Sequence, residues 1–223
     1  MRLLAIDTAL EACSVGVVAG DIAVTRQEIV GRGHAEVLMG LIQSAMTEAH
    51  LAFADLDRIA VTVGPGSFTG VRIGIAAARG FALVTGRNAV GIGTLAVHAE
   101  EARALAGARP VLAVNAAGRG EMYGAIFAPD GSEIAAPAVG SAQAFAALLS
   151  ADMVLAGSGA DLVVAALPMD VAPRVAHRRS SPVIAALCRL ALRAPATTAP
   201  PRPLYLRPPD AKPQPASARV AHQ

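Results

Sequence analysis

Apolar residues fall in short blocks along the first half of the chain, cut by glycines and isolated charges. Residues 2–7 form one such run, which predicts a buried strand. Ser14 to Ala19 and Asp21 to Arg26 form two more, and Gly20-Asp21 between them suits a tight hairpin. From His34 to His50 the spacing changes. Leu38, Leu41, Ile42, Ala45 and Ala49 recur at helical intervals. Leu56 to Val63 reads as another strand. Gly64-Pro65-Gly66 is a loop, and Ser67 or Thr69 is placed to cap a helix running to about Val84. Three strands followed by helix, strand and helix predict an α/β domain with a mixed sheet.

Past Pro110 the pattern weakens. Val111 to Asn115 and Met122 to Phe127 read as strands, and Ala142 to Leu149 as a helix. Met153 to Ala156 reads as a strand before the turn Gly157-Ser158-Gly159, and Pro182 to Arg193 as a last helix. Leu4-Ala5-Ile6-Asp7 matches Leu112-Ala113-Val114-Asn115 at an offset of 108, and Gly16-Val17-Val18 matches Gly124-Ala125-Ile126. The stretch is short and alanine-rich, so chance competes with duplication. Duplication would give two related lobes around a cleft. The expected division is a first lobe over 1–108, a smaller second lobe over 109–194 and a proline-rich tail over 195–223. Eight of the 15 prolines fall in that tail, and Pro203-Leu204-Tyr205-Leu206-Arg207 is its one segment apolar enough to dock.

Composition narrows the chemistry. Of 223 residues 54% are hydrophobic and 16% charged, which excludes disorder over the whole chain. Lys212 is the single lysine and lies in the tail, so a P-loop lysine or a pyridoxal phosphate aldimine has no provider. A net charge of +2 and 3% aromatics give no basis for nucleic-acid binding. Cys13 and Cys188 form no CxxC, which excludes a zinc ribbon and suits a reducing compartment. Asp7 interrupts the first apolar run too early for a signal peptide, and no apolar run reaches membrane-spanning length. The expected location is the cytoplasm.

The chemistry-bearing stretch is Gly64-Pro65-Gly66-Ser67-Phe68-Thr69-Gly70-Val71-Arg72-Ile73-Gly74. Its glycines do not follow GxGxxG and no lysine follows them. An anion at the helix start is one reading. A tight strand-to-helix turn, with glycine where no side chain fits, is the other and better supported. The following helix carries only Arg72 and Arg79 as charges, and Gly70, Gly74 and Ala78 form a smooth strip at four-residue spacing. Burial against another helix of the same chain and contact with a partner protein are both open. Asp7-Thr8 ends the first strand, where an actin-like ATPase places a metal-phosphate loop. No glycine follows at once, and the repeat partner of Asp7 is the uncharged Asn115, so this loop reads as vestigial or structural. His34, His50, His98, His177 and His222 form no HxxxH or HExxH set. His34 reads as a cap or surface residue. Arg174, Arg178, Arg179, Arg189 and Arg193 read as a solvated face.

Leu4-Ala5-Ile6-Asp7-Thr8-Ala9, Glu11-Ala12-Cys13-Ser14-Val15 and the glycine-rich stretch together resemble the TsaB (YeaZ) family of tRNA threonylcarbamoyladenosine biosynthesis proteins. Gly120-Glu121-Met122-Tyr123 and Pro203-Leu204-Tyr205-Leu206-Arg207 extend the resemblance over nearly the whole chain. It implies the two-lobed, actin-like ASKHA (ribonuclease-H-like) fold with a reduced second lobe. It also implies a non-catalytic scaffold in the synthesis of N6-threonylcarbamoyladenosine at tRNA position 37. The implied partners are TsaD, which carries the catalytic metal, and the ATPase subunit TsaE, with self-association as well. The tRNA would be met only through the complex. No cofactor or metal is expected on this subunit alone, and ATP or ADP and the metal would sit in the partners. The partner interface is expected on helices of the first lobe, at Leu38, Leu41, Ile42, Ala45, Gly70, Val71, Arg72, Gly74, Ile75, Ala78 and Arg79. Asp7, Thr8, Ser67 and Thr69 would line a vestigial phosphate loop. The alternative is an ATP-hydrolysing ASKHA enzyme using Asp7. One departure concerns the second lobe: Ala116 and Gly118 stand where the family usually has an acidic residue and an arginine.

Overall fold

A computed structural model describes residues 1–207; the remainder of the proline-rich segment, with Lys212, lies outside the described residues. The first half runs β1 (Arg2–Asp7), β2 (Ala12–Ala19), β3 (Ile22–Ile29), α1 (His34–Glu48), β4 (Arg58–Thr62), α2 (Phe68–Thr85), β5 (Ala89–Ile92) and α3 (Thr94–Ala106). The second repeats that order with β6 (Val111–Gly118), β7 (Glu121–Phe127), β8 (Glu133–Gly140), α4 (Ala142–Ala146), β9 (Val154–Ala156), α5 (Ala160–Ala165), β10 (Arg174–His177) and α6 (Ile184–Arg193). The two sheets are ordered β3-β2-β1-β4-β5 and β8-β7-β6-β9-β10, so they share one topology. The second lobe is reduced mainly in its helices: α2 has 18 residues and its counterpart α5 has 6.

The repeat is real in topology, but its offset is not constant. Ala5 pairs with Gly16, whereas Ala113, 108 residues further on, pairs with Ala125 rather than Gly124. A one-residue shift in a strand moves a side chain to the opposite face. A Cβ on Gly16 would meet Cys188 of α6, whereas one on Gly124 would meet the Phe145 ring of α4. The two glycines that look equivalent in sequence therefore serve opposite faces of their sheets.

β1 is apolar at every position from Leu3 to Ile6 because both faces of its sheet are covered. Leu4 and Ile6 pack with α1 and α2, and Leu3 and Ala5 with α6. The second sheet holds Leu112 and Val114 against α4 and α5, and Val111 and Ala113 against α3. The last helix of each half thus crosses to the other half's sheet, and α3 and α6 lie side by side between the sheets. A boundary at 108/109 separates the two sheets in sequence. It does not separate two packing units, because α3 and α6 are exchanged across it.

The segment from Pro200 to Arg207 runs along the first lobe and reaches the second. Arg79 Nε donates to the Pro201 carbonyl at 2.9 Å, and the Leu204 amide donates to Val63 at 2.8 Å. Arg72 Nε donates to the Tyr205 hydroxyl at 2.7 Å, and Arg207 pairs with Glu121 and donates to the Ala117 carbonyl.

Candidate functional site

The Asp7-Thr8-Ala9 loop and the start of α2 meet at the end of β1. Asp7 is buried, and its Oδ1 accepts from Thr62 Oγ1 at 2.6 Å and from the Ala9 amide at 3.0 Å. Burial raises the Asp7 carboxyl above its ordinary value, although both hydrogen bonds act against that. Thr8 Oγ1 donates to the Gly70 carbonyl at 2.7 Å, and the Ser67 amide donates to the Ala9 carbonyl at 2.7 Å. Ser67 is the N-cap, its Oγ accepting from the Gly70 amide. Thr69 is exposed in the first turn. A phosphate at this helix start would need N–H groups that point into open space. Here the loop packs onto the helix instead. A Cβ on Gly66 would lie 2.3 Å from the Ala9 carbonyl oxygen, one on Gly70 2.1 Å from that of Thr8, and one on Gly74 2.5 Å from Thr8 Oγ1. The glycine-rich motif is therefore a close-packing motif that seats α2 on its own lobe.

This placement bears on the expected interface. Gly70, Val71, Gly74, Ile75 and Ala78 form the buried face of α2. Leu38, Leu41, Ile42 and Ala45 form that of α1, in the same core. Both sets face inward, α1 through its large apolar side chains and α2 because its small-residue strip admits the β1 loop. Of the eleven expected positions only Arg72 and Arg79 are exposed, and the C-terminal segment engages both. α2 also has the length and hydropathy to span a bilayer, with a mean hydropathy of 1.2 over its 18 residues. Its glycine face is committed to β1 and β4. What it leaves outward are Arg72, Arg79 and a few apolar side chains: Leu83 and Val84 near its end, 85% and 83% exposed, Ala76 at its middle, and Phe68 at its start against Arg72 and Tyr205. Met39 of α1 is likewise exposed.

His34 is neither cap nor surface residue. Gly33 holds the N-cap position, while the buried His34 ring donates from Nε2 to the Leu10 carbonyl at 2.8 Å. It thereby pins the loop after Asp7. Ser180 and Ser181 reach the same loop from the second half, through Glu11 and the Ala12 amide.

In the second lobe Asn115 takes the place of Asp7. Its Oδ1 accepts from the Ser158 amide at 3.2 Å, and its Nδ2 lies 2.9 Å from His98 Nε2. The amide donates in that contact, so His98 carries its proton on Nδ1. Ala116 and Gly118, which depart from the family pattern, lie at an irregularity in the β6–β7 ladder. Glu121 and Tyr123 meet the C-terminal segment, with the Arg207 guanidinium 5.6 Å from the Tyr123 ring centre. Two motifs more than eighty residues apart thus form one contact.

The charges that sequence spacing does not reveal lie on α3. Glu100 is buried and paired with Arg103, Arg189 and Arg193, tying α3 to α6. Burial would raise its carboxyl, but the three arginines outweigh burial and hold it below its ordinary value. Glu101 pairs with Arg179 and accepts the Val183 amide at 3.0 Å. Of the five arginines read as one solvated face, Arg179, Arg189 and Arg193 are divided among these partners, and Arg178 pairs with Asp161. His98 and His177 stack with ring centres 5.3 Å apart. Burial, reinforced by His177, pushes His98 down to about 3, and burial also lowers His177. Both rings are neutral at neutral pH, so the 3.7 Å approach of His177 to Glu101 is not an ion pair. No sequence signal marks this cluster, because His98 and His177 lie on α3 and β10, far apart in the chain.

Two sheets of one topology, with α3 and α6 exchanged between them and a nucleotide-loop position at the end of β1, define a two-lobed actin-like protein of the ASKHA class. In this member that first loop is packed shut by its own helix. A family model for TsaD, tRNA N6-adenosine threonylcarbamoyltransferase, matches residues 22–156. The tRNA threonylcarbamoyladenosine biosynthesis protein TsaB of Escherichia coli is 40% identical over 130 residues, 58% of this chain and 56% of that protein. An uncharacterised Mycobacterium tuberculosis protein is 37% identical over 220 residues, covering 95% of this chain and 94% of its own. The structure of YeaZ from Pseudomonas aeruginosa superimposes with a TM-score of 0.72 at 31% identity, over 86% of this chain and 92% of that one. The chain belongs to the TsaB (YeaZ) family.

Proposed function

We propose that this protein is the scaffold subunit of the complex that forms N6-threonylcarbamoyladenosine at tRNA position 37 in the cytoplasm. It pairs with TsaD, with TsaE joining the same assembly, and meets tRNA only through them. The nucleotide and the catalytic metal belong to those partners, and the subunit itself runs no step of the transfer. The observation that carries this reading is the division of labour on α2. Its glycine face closes the site where an ATPase would hold phosphate, and its opposite face offers Phe68, Ala76, Leu83 and Val84 to solvent. Large apolar side chains this exposed, Leu83 and Val84 above all, mark a protein contact. Without TsaD the same face would pair two copies of the chain. The reading of Asp7 as an ATPase residue loses support from its burial and from both hydrogen bonds being spent within the chain.

The test is co-elution with TsaD. Leu83→Asp adds a charge to a side chain that touches little of its own subunit. It should melt at the wild-type temperature and fail to co-elute. Co-elution at wild-type yield would remove this face from the interface. ATP turnover by the purified chain that Asp7→Asn abolishes would overturn the non-catalytic reading.

A further inference from the structure

We propose that His98, Glu101 and His177 form a binding site for a divalent transition-metal cation of the Zn2+ class, within this subunit and independent of the partner-binding reading. His98 and Glu101 lie one turn apart on α3, so their side chains share a face. His177, at the end of β10, closes the set from the second sheet. One ligand atom from each lies within 4.8 Å of the others, and the residues are 0%, 3% and 7% exposed. Bonds of about 2.0–2.2 Å to a tetrahedral cation would place such atoms about 3.3 Å apart, so binding draws the three side chains inward by up to about 1.5 Å.

Two observations beyond proximity point to a ligand. Nδ1 of His98 and Nδ1 of His177 are both buried with no hydrogen-bond partner; a cation on His98 Nδ1 would move that proton to Nε2 and turn the Asn115 amide so that its oxygen accepts there, at the cost of the bond from the Ser158 amide. Buried polar atoms are rarely left unpaired, and here two occur in one cluster. The donor set is also selective. Two imidazole nitrogens and one carboxylate oxygen suit Zn2+ or Fe2+ and not Mg2+ or Ca2+, which take oxygen ligands. Three protein ligands leave a fourth position for water.

Arg179 gives the site its particular behaviour. Its side chain is half exposed, and it pairs with the otherwise buried Glu101. That guanidinium neutralises the carboxylate and competes with a cation for it. Binding therefore requires Arg179 to swing outward, and its removal should strengthen binding. A polar cluster that served packing alone would show no such response. Because α3 and β10 come from different halves of the chain, the cation would clamp them together. The expectation that the subunit binds no metal of its own gives way to this proposal.

The test uses the untagged full chain, stripped with a chelator and then dialysed against Zn2+. One Zn2+ per chain is expected, with a rise in melting temperature. His98→Gln and His177→Gln should each weaken binding by about tenfold or more. Arg179→Gln should tighten it, and the exposed His50→Gln should leave it unchanged. Substoichiometric Zn2+ on the wild-type chain would overturn the proposal, as would undiminished binding to a folded His98→Gln/His177→Gln double variant. Should those variants not fold, the Co2+-loaded wild-type protein decides. Visible d–d bands of a nitrogen- and oxygen-ligated tetrahedral ion support the site, and their absence overturns it.

Discussion

The Thr8 hydroxyl donates to the Gly70 carbonyl across 2.7 Å, and the Thr8 carbonyl oxygen lies 2.1 Å from where a Gly70 Cβ would stand. One residue of the β1 loop thus holds α2 by a hydrogen bond and forbids it a side chain. Gly70→Ala must push the loop off the helix, because both groups in conflict are tied to backbone. A loss of about 1–3 kcal/mol is expected from overpacking alone. Gly80, on the exposed side of the same helix, has nothing within 4 Å of an added Cβ. Gly80→Ala should stabilise by about 0.5–1 kcal/mol. Chemical denaturation of the two variants measures the contrast.

Asp7 gives a pH dependence of defined sign. Its folded pKa is raised by burial, so its contribution to stability is fully present below the ordinary 3.8 and is lost as pH rises through the folded value. Asn115 shows that an amide fits the equivalent position in the second lobe. Asp7→Asn should therefore gain stability relative to wild type as pH increases from 3.8 toward neutrality. Urea unfolding across that range tests it, and a variant that steadily loses ground would refute it.

Glu100 has the opposite sign. Its folded pKa lies below the ordinary 4.5, so its contribution is present above 4.5 and is lost as pH falls through the folded value. Glu100→Gln keeps the shape and removes the charge that holds Arg103, Arg189 and Arg193. A loss of about 1.5–3 kcal/mol is expected at neutral pH, the range for hydrogen bonds to a charged group. The cost should shrink in acid, where wild type loses the same charge.

Arg79 holds the C-terminal segment through the Pro201 carbonyl. Arg79→Ala should leave the core intact and loosen residues 200–207. The reporter is the Leu204 amide, which donates to Val63. Its hydrogen exchange should quicken by an order of magnitude or so, since a hydrogen bond to a charged group is worth about 1.5–3 kcal/mol, while amides of β1 and β4 keep wild-type rates.

Strong local patterns were legible in the sequence. β1, the hairpin at Gly20-Asp21 and α2 with its Ser67 cap announce themselves through apolar runs and turn chemistry. α3 was passed over. Its buried face carries His98, Glu100 and Glu101, so its amphipathic pattern is broken by buried charge. β5, β8, β9's short neighbour α5 and β10 are too brief or too irregular to stand out. The filled loop was half legible. Gly66, Gly70 and Gly74 signalled close approach, but periodicity says only that something comes close. Whether that is the chain's own Thr8 or another protein depends on tertiary packing, which periodicity does not carry. The His98–Glu101–His177 cluster left no trace, because residues 79 positions apart share no spacing rule.

The exchange of α3 and α6 bears on how the chain acquires its structure during synthesis. The inner face of the first sheet, with Leu3 and Ala5, is covered by Leu187 and Ala191 of the last helix. That face stays bare until residues 184–193 have left the ribosome. The usual sequence, in which an N-terminal domain folds first and alone, is closed to this molecule. The halves must mature together in one late event, and a nascent chain stalled after residue 108 would expose an apolar sheet in search of a cover.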